Sequence, residues 1–417
     1  MPHETELIAT VAIGLTAAFV FALVAVRLRL PPIVGYLVAG VVVGPFTPGF
    51  VADAELAPQL AEIGVILLMF GVGIHFSPGD LLAVRGIALP GAVGQIAVAT
   101  GLGLGLARLW GWSTGEGLVF GLALSVASTV VLLRALEERD AVATPSGRLA
   151  VGWLLVEDLA MVVVLILLPV LAEPLGGVAP AGAGGTLLAT LGVTLGKVAL
   201  FALVMLVVGW RAIPWLLGRV ASAGSRELFV LAILTAAIGI AYAGAELFGV
   251  SFALGAFVAG LVVGQSEVGH AAGEEIVPLR DAFAVLFFVS VGMLIDPAFL
   301  LAEPGRILLV GLVIIAGKML AAVALVLLLG GGRPQALIVA ASLAQIGEFS
   351  FILASTGRAL GLLPADGYNL ILAGALVSIT LNPLLFRAVA PLVARLEGAP
   401  PGVGGAHPAP PEALSRP

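Results

Sequence analysis

The chain has no cysteine among its 417 residues, which excludes disulfides, thiolate ligands and any thiol-based redox switch within it. Charge is scarce as well: Asp, Glu, Lys and Arg supply 11% of the residues, against about 25% in an ordinary soluble domain. With 60% hydrophobic residues and a mean hydropathy of +1.18, no water-soluble core could absorb the apolar excess. The apolar runs are continuous instead of alternating with polar residues, so a transmembrane β-barrel is excluded. What remains is an all-α membrane protein. No block of consecutive basic residues offers a patch for nucleic acid or anionic lipid, and the formal net charge of −6 is carried mostly by short loops. Nucleic acid is therefore not expected as a partner, whereas membrane lipid is. Histidine is confined to positions 3, 75, 270 and 407, all at ends or in loops, and no second mid-span aspartate complements Asp158, which argues against intramembrane proteolysis. The run Gly101-Leu-Gly-Leu-Gly-Leu lies in an apolar stretch with no strand before it, so helix packing explains it better than a nucleotide loop. No cofactor is implied, and an enzyme is not expected.

A spanning helix needs about 20 mostly apolar residues. Apolar runs predict helices near 6–27, 32–46, 56–76, 86–109, 115–137, 147–172, 185–210, 225–247, 250–265, 279–296, 305–330, 335–358 and 367–393, thirteen in all. His3, Glu4 and Glu6 precede the first run where a secretory signal would be basic, so it reads as the first span. With the N-terminus outside, the inner loops and C-terminus hold fourteen arginines and the outer loops hold three, Arg108, Arg306 and Arg358. Basic residues are retained on the cytoplasmic side, so this imbalance supports thirteen spans in a plasma (inner) membrane with a cytoplasmic C-terminus. The two lysines, Lys197 and Lys318, both fall inside spans. Residues 397–417 are rich in Pro, Gly and Ala and read as a disordered cytoplasmic tail, with no soluble domain after it. Residues 1–396 form the expected transport domain.

An internal repeat organises that domain. Gly35-Tyr-Leu-Val-Ala-Gly-Val-Val-Val-Gly44 matches Gly255-Ala-Phe-Val-Ala-Gly-Leu-Val-Val-Gly264 at seven of ten positions, an offset of 220. Leu67 to Pro78 then matches Leu286 to Pro297 at an offset of 219, and Gly94-Gln95 matches Gly317-Lys318 at 223. The matches pair the second, third and fourth spans with the ninth, tenth and eleventh. A shift of seven spans reverses the crossing direction, so two inverted six-helix repeats are expected, 6–172 and 225–393, joined by a linking helix at 185–210. Inverted repeats mark secondary transporters, whose sites lie near the midplane where discontinuous helices meet. The fifth and twelfth spans fit that role, with Ser125-Val-Ala-Ser128-Thr129 in one and Ser342-Leu-Ala-Gln345-Ile-Gly347-Glu348 in the other. Unwound backbone at membrane depth is tolerated only inside protein or along a wet cavity. Serine and threonine bonding back to their own helix is the plainer account of the fifth span taken alone, but a glutamate in mid-span points to function.

Glu157 and Asp158 stand roughly 17 Å into the sixth span at 1.5 Å per residue, near the middle of a hydrocarbon core about 30 Å thick. Adjacent residues point about 100° apart on a helix, so the two carboxylates need not share surroundings. Asp158 is the expected direct ligand of cation and proton, and Glu157 the second candidate. Lys318 lies at similar depth in the eleventh span and needs a partner; Asp158 is the expected one, as a competing charge in the exchange or as a static salt bridge. Glu348 is open between an ion ligand and a balance for helix dipoles and arginines. Lys197, in the linking helix, reads as a snorkelling side chain. His75 reads as a loop residue.

These residues resemble the Kef-type potassium:proton antiporters of the second cation:proton antiporter family, within it the YbaL-like branch. The likeness rests on Pro32-Ile-Val-Gly-Tyr-Leu-Val-Ala-Gly40, Gly44-Pro45, Val156-Glu157-Asp158-Leu159, Phe252-Ala-Leu-Gly-Ala-Phe-Val-Ala-Gly260, Gly317-Lys318 and Gln345-Ile-Gly-Glu-Phe349. It implies a sodium/proton-antiporter-like fold, a homodimer, crossing broken helices 5 and 12, an elevator-like motion, Asp158 as the essential carboxylate and Lys318 as its partner. Many Kef members carry Gln-Asp where this chain has Glu157-Asp158, and electrogenic relatives carry Asp-Asp. The charge moved per cycle therefore cannot be transferred from the family, and neither can gating through a nucleotide-binding domain.

The expected function is antiport of a monovalent cation against protons, potassium favoured over sodium by the resemblance, with cation and proton competing at Asp158. The alternatives are a gated potassium efflux channel, which lacks a Thr-Val-Gly-Tyr-Gly filter here, and an organic-anion symporter on a related inverted-repeat fold, which would not need a deep acid.

Overall fold

The computed structural model describes residues 6–47, 56–75, 78–178 and 187–396; the expected tail 397–417 lies outside them. Among the described residues all regular structure is helical. In chain order the helices are α1 Glu6–Arg27, α2 Pro32–Val43, α3 Leu56–His75, α4 Pro78–Leu109, α5 Thr114–Ser125, α6 Thr129–Glu137 and α7 Pro145–Leu171. Then come α8 Leu187–Val204, α9 Trp210–Ser222, α10 Arg226–Leu234, α11 Ile240–Phe248, α12 Phe252–Gly264, α13 Gly269–Met293 and α14 Pro297–Ala302. The last five are α15 Pro304–Leu312, α16 Lys318–Leu328, α17 Arg333–Leu343, α18 Glu348–Ala359 and α19 Ala365–Leu396. Single π-helical turns at Met205–Gly209, Thr235–Gly239 and Val313–Gly317 join α8 to α9, α10 to α11 and α15 to α16.

Local sequence explains many of the boundaries. Ser113 and Glu116 form a capping box that starts α5. Thr144 caps α7 with Pro145 in its first turn, and Ser251 caps α12; these side chains accept the amide hydrogens that a first turn leaves unpaired. Large apolar side chains cover the outside, with Phe19 69%, Leu206 63% and Leu320 71% exposed, as a lipid-facing surface requires.

Each expected apolar run carries a helix, with three differences. Helix α4 begins at Pro78 instead of 86, and α13 at Gly269 instead of 279, because polar first turns that hydropathy discounts still continue the helix. The linking helix does not end at 210 but continues through its π turn to Ser222. The third concerns span count: among the described residues nine helices are long and apolar enough to cross a membrane, and the bent pair α17 and α18 makes a tenth. Three shorter apolar helices, Pro32–Val43, Gln59–Ile74 and Phe252–Gly264, fall short on length; 12 residues rise only about 18 Å.

Two bundles result. In one, α3 packs on α12 and α13, and α2 packs on α1 and α13. In the other, α4 packs on α5, α7 and α16, while α17 packs on α7, α16 and α19. Glycine sets the spacing in the first bundle. A Cβ on Gly40 would overlap the backbone of Val289 and Gly292, and one on Gly260 would overlap Phe70.

Candidate functional site

The fifth and twelfth apolar runs are both broken. Between α5 and α6 the backbone is extended at Val126 and Ser128, and α17 meets α18 at a 47° bend across Ala344–Gly347. The breaks touch. Ser128 N donates to Gln345 Oε1 at 2.9 Å and Gln345 Nε2 donates back to Ser128 O at 3.1 Å, so one side-chain amide pairs with the peptide groups of the other break. Gly347 completes the crossing, since any Cβ there would overlap Ser128. Breaking a helix leaves donors and acceptors without intrahelical partners, and inside a membrane the protein itself must satisfy them.

Two buried charges do so. Glu157, fully buried on α7, accepts from Ala127 N at 3.0 Å and from Gln95 Nε2 at 2.8 Å. Lys318, fully buried at the start of α16, donates from Nζ to Gln345 O at 2.9 Å. The signs suit the helix ends: the carboxylate meets an amide at the entry to α6, and the ammonium meets a carbonyl at the exit of α17. The expected partnership is corrected here. Lys318 forms an ion pair with neither Asp158 nor Glu157, its ammonium donating instead to the Gln345 carbonyl; of the two carboxylates, Glu157 is the one whose charge reaches it. The reason is helical phase: Glu157 and Asp158 project about 100° apart, and the phase of α7 turns Glu157 toward Gln95 on α4 and the Ala127 amide, and Asp158 toward Thr129 on α6.

Asp158, 3% exposed, accepts from Thr129 Oγ1 at 3.1 Å through Oδ2. Its Oδ1 is buried without a partner. Glu348 mirrors it: Oε2 accepts from Ser128 Oγ at 2.9 Å, while Oε1 is buried and unpartnered. The fields acting on Asp158 come from Glu348 and Glu157. Three buried carboxylates thus share one region with a single ammonium, and uncompensated buried charge is costly. Protons or cations must make up the balance.

Access is visible. A cavity of about 720 Å³ runs from the charged residues Arg134, Glu137, Arg280 and Asp281 down to Thr129 and Glu348. Asp158 stands one side chain behind its inner wall, reached through Thr129. Among the described residues no cluster of three or more His, Cys, Asp or Glu has the geometry of a metal centre; a passing monovalent cation would draw on hydroxyl, carbonyl and carboxylate oxygens.

Of the residues singled out in the sequence, Glu157, Asp158, Lys318, Ser128, Thr129, Gln345, Gly347 and Glu348 converge here. Ser342 is buried nearby, its carbonyl accepting from Gln345 Nε2 at 3.2 Å. Ser125 does not join them, because its hydroxyl bonds back to Leu122 O at 2.7 Å. Lys197 is exposed on α8, away from the site. His75 is the last residue of α3 and not a loop residue. Gln95 was legible only as the repeat counterpart of Lys318; its role in holding Glu157 is new. Ser350, whose Oγ bonds to Val126 O at 3.4 Å, carried no sequence signal.

The family model "Sodium/hydrogen exchanger, transmembrane" matches residues 14–390. The chain is 56% identical over 399 residues to the candidate cation/proton antiporter YbaL of Escherichia coli (strain K12), covering 95% of this chain and 71% of that one. It is 34% identical to K(+) efflux antiporter 4 of Arabidopsis thaliana, covering 87% of this chain and 60% of that one. It is 32% identical to the glutathione-regulated potassium-efflux system protein KefC of Klebsiella pneumoniae, covering 96% and 62%. The fold is similar to that of the sodium proton antiporter MjNhaP1 of Methanocaldococcus jannaschii, with a TM-score of 0.67, 17% identity, and coverage of 93% of this chain and 98% of that one. The chain belongs to the transmembrane sodium/hydrogen exchanger family, among its Kef-type cation/proton antiporters.

Proposed function

We propose that the chain exchanges a monovalent cation, potassium in preference to sodium, for protons at Asp158 by alternating access. The observation that carries this is the pair of free carboxylate oxygens, Asp158 Oδ1 and Glu348 Oε1, buried where the two broken helices cross at the inner end of a cavity. A carboxylate in that position holds either a proton or a cation, and exchange follows from their competition. Glu157 and Lys318 are positioning residues that keep the breaks together. One carboxylate trading one proton for one cation moves no net charge, so exchange is electroneutral. The potassium preference is drawn from the relatives whose names specify potassium efflux.

Thirteen helical segments cross the membrane in this reading, with α5–α6, α8–α9, α10–α11, α15–α16 and α17–α18 each counted once and the six-residue α14 left out. The contact of Gly40 with Val289 and Gly292 corresponds, at offsets of 220 and 219, to that of Gly260 with Phe70 and Gly73, which supports two inverted repeats. The arginine count supports an outside N-terminus in the plasma (inner) membrane and, with it, a cavity mouth on the cytoplasmic side. The family resemblance supports a homodimer and an elevator-like motion of the bundle that carries the site.

The test is proton movement in proteoliposomes on addition of K⁺, Na⁺, Rb⁺ or Li⁺. Wild-type protein should respond most strongly to K⁺, and Asp158→Asn should abolish the response; an Asp158→Asn variant with wild-type exchange would overturn the assignment.

A further inference from the structure

A second cavity, of about 390 Å³, lies where the turn between α1 and α2 faces α6 and α19. Its floor is apolar, made by Ile33, Val131 and Pro383 among others, but its charged lining is one-sided: Arg29, Arg134, Arg139 and Arg387 against the single carboxylate of Glu138. No two of these arginines are consecutive, and they come from three separate parts of the chain. The sequence therefore shows no basic block, and the fold makes one.

Three details show that the positive charge is held in place. Arg139 stacks on Phe386, its guanidinium carbon 4.5 Å from the ring centroid, which fixes its direction. Burial, and after it the like charge of Arg387, press the Arg139 guanidinium below its ordinary pKa despite Glu138 at 3.7 Å. Arg29 closes α1 in the left-handed region at φ 60°, with Leu30 N bonding to Ala25 O at 2.8 Å. Glycine is the usual residue there, because a side chain in that conformation is costly, its Cβ crowding the following carbonyl oxygen. Such a cost at an exposed turn is a pointer to function. The uncapped start of α2, with Pro31 as its N-cap and Pro32 in its first turn, adds the positive end of a helix dipole.

Four guanidinium groups against the one carboxylate of Glu138 leave an excess of positive charge around a small cavity that a further anion would offset, and planar guanidinium forks match phosphate oxygens in pairs. We propose that this cavity binds a phosphate group through Arg29, Arg134, Arg139 and Arg387, and that the occupant ties the α1–α2 turn of one bundle to α6 and α19 of the other. The phosphate comes either from the headgroup of an anionic phospholipid in the adjoining leaflet or from a soluble phosphate. Arg134 also lines the larger cavity that leads to Glu348, so the occupant and the transport path share a wall.

The test uses the full chain, delipidated in a neutral detergent, with binding measured to inorganic phosphate, phosphatidylglycerol and, as control, phosphatidylcholine. Arg29→Gln and Arg387→Gln are exposed changes outside the exchange site and should fold normally. Saturable binding of phosphate or of phosphatidylglycerol, weakened at least tenfold in each variant, is the expected result; phosphate binding assigns a soluble occupant, and binding of phosphatidylglycerol alone assigns a headgroup. Binding of neither probe, or equal binding by wild type and both variants, overturns the proposal. No gradient is involved, so failure here would leave the exchange assignment standing.

Discussion

Replacing Lys318 by methionine removes a fully buried ammonium and leaves two groups stranded, the Gln345 carbonyl and the Glu157 carboxylate. Removing one member of a buried pair in direct contact costs about 3–5 kcal/mol; Lys318 and Glu157 are not in ion-pair contact, so the cost here should fall below that range. Glu157→Gln strands the ammonium instead and should cost a similar amount, although glutamine can keep both hydrogen bonds of Glu157. It can accept from Ala127 N and donate to Gln95 Oε1, which has no partner in the wild type. In the double variant Glu157→Gln/Lys318→Met no buried charge is orphaned at this position. Its cost should fall short of the sum of the single costs by about 1 kcal/mol, in the lower part of the range for coupled neighbours. The assay is apparent thermal stability of the four proteins in detergent, with a parallel cycle of Asp158→Asn and Lys318→Met. That second cycle should show weaker coupling than the first. Additive costs in the first cycle, or stronger coupling in the second, would refute the assignment of Lys318 to Glu157.

Thr129→Val removes the hydroxyl that donates to Asp158. A hydrogen bond to a charged group contributes about 1.5–3 kcal/mol, so the apparent cation affinity should change by roughly tenfold to a hundredfold, read as KM in the proteoliposome assay, while folding yield stays near wild type. Gly347→Ala should lose more than 3 kcal/mol of stability or fail to assemble, because the new Cβ overlaps Ser128 and overpacking at a fixed crossing cannot relax; recovery of well-folded protein by size-exclusion chromatography checks this. Exchange should run at the same rate with the membrane potential clamped at zero and at −100 mV. One net charge moved per cycle would be worth about 2.3 kcal/mol at that potential and would show as a potential-dependent rate.

Much of the fold was legible because hydropathy reads helices directly. Every apolar run carries a helix, and the two runs with polar mid-sections are the ones that break. The boundaries that slipped are those where a polar first turn precedes the apolar stretch, at Pro78 and at Gly269, since hydropathy marks burial in lipid and not helix. The site residues were legible for a related reason: charges in apolar runs stand out, as Glu157, Asp158, Lys318 and Glu348 do. Their pairing was not. Which of two adjacent carboxylates faces a lysine some 160 residues away depends on the rotation of α7 against α4, α6 and α16, and sequence spacing within one helix holds no information about that angle. Gln95 was hidden for the opposite reason, being one neutral amide in a long apolar helix whose meaning comes from what lies opposite. The arginine cavity was invisible because its members are scattered from position 29 to 387.

The hydrogen bonds that hold the crossing have one more property. Glu157 to Ala127 and Gln95, Lys318 to Gln345, Ser128 to Gln345 and Glu348, and Thr129 to Asp158 all join elements of a single bundle. If that bundle moves as proposed, the groups that would solvate the ion travel with it. Under the proposed elevator-like motion, sliding that body past the glycine-spaced bundle would break none of these bonds, and what resists it would be the packing and the charged cavity walls along the seam.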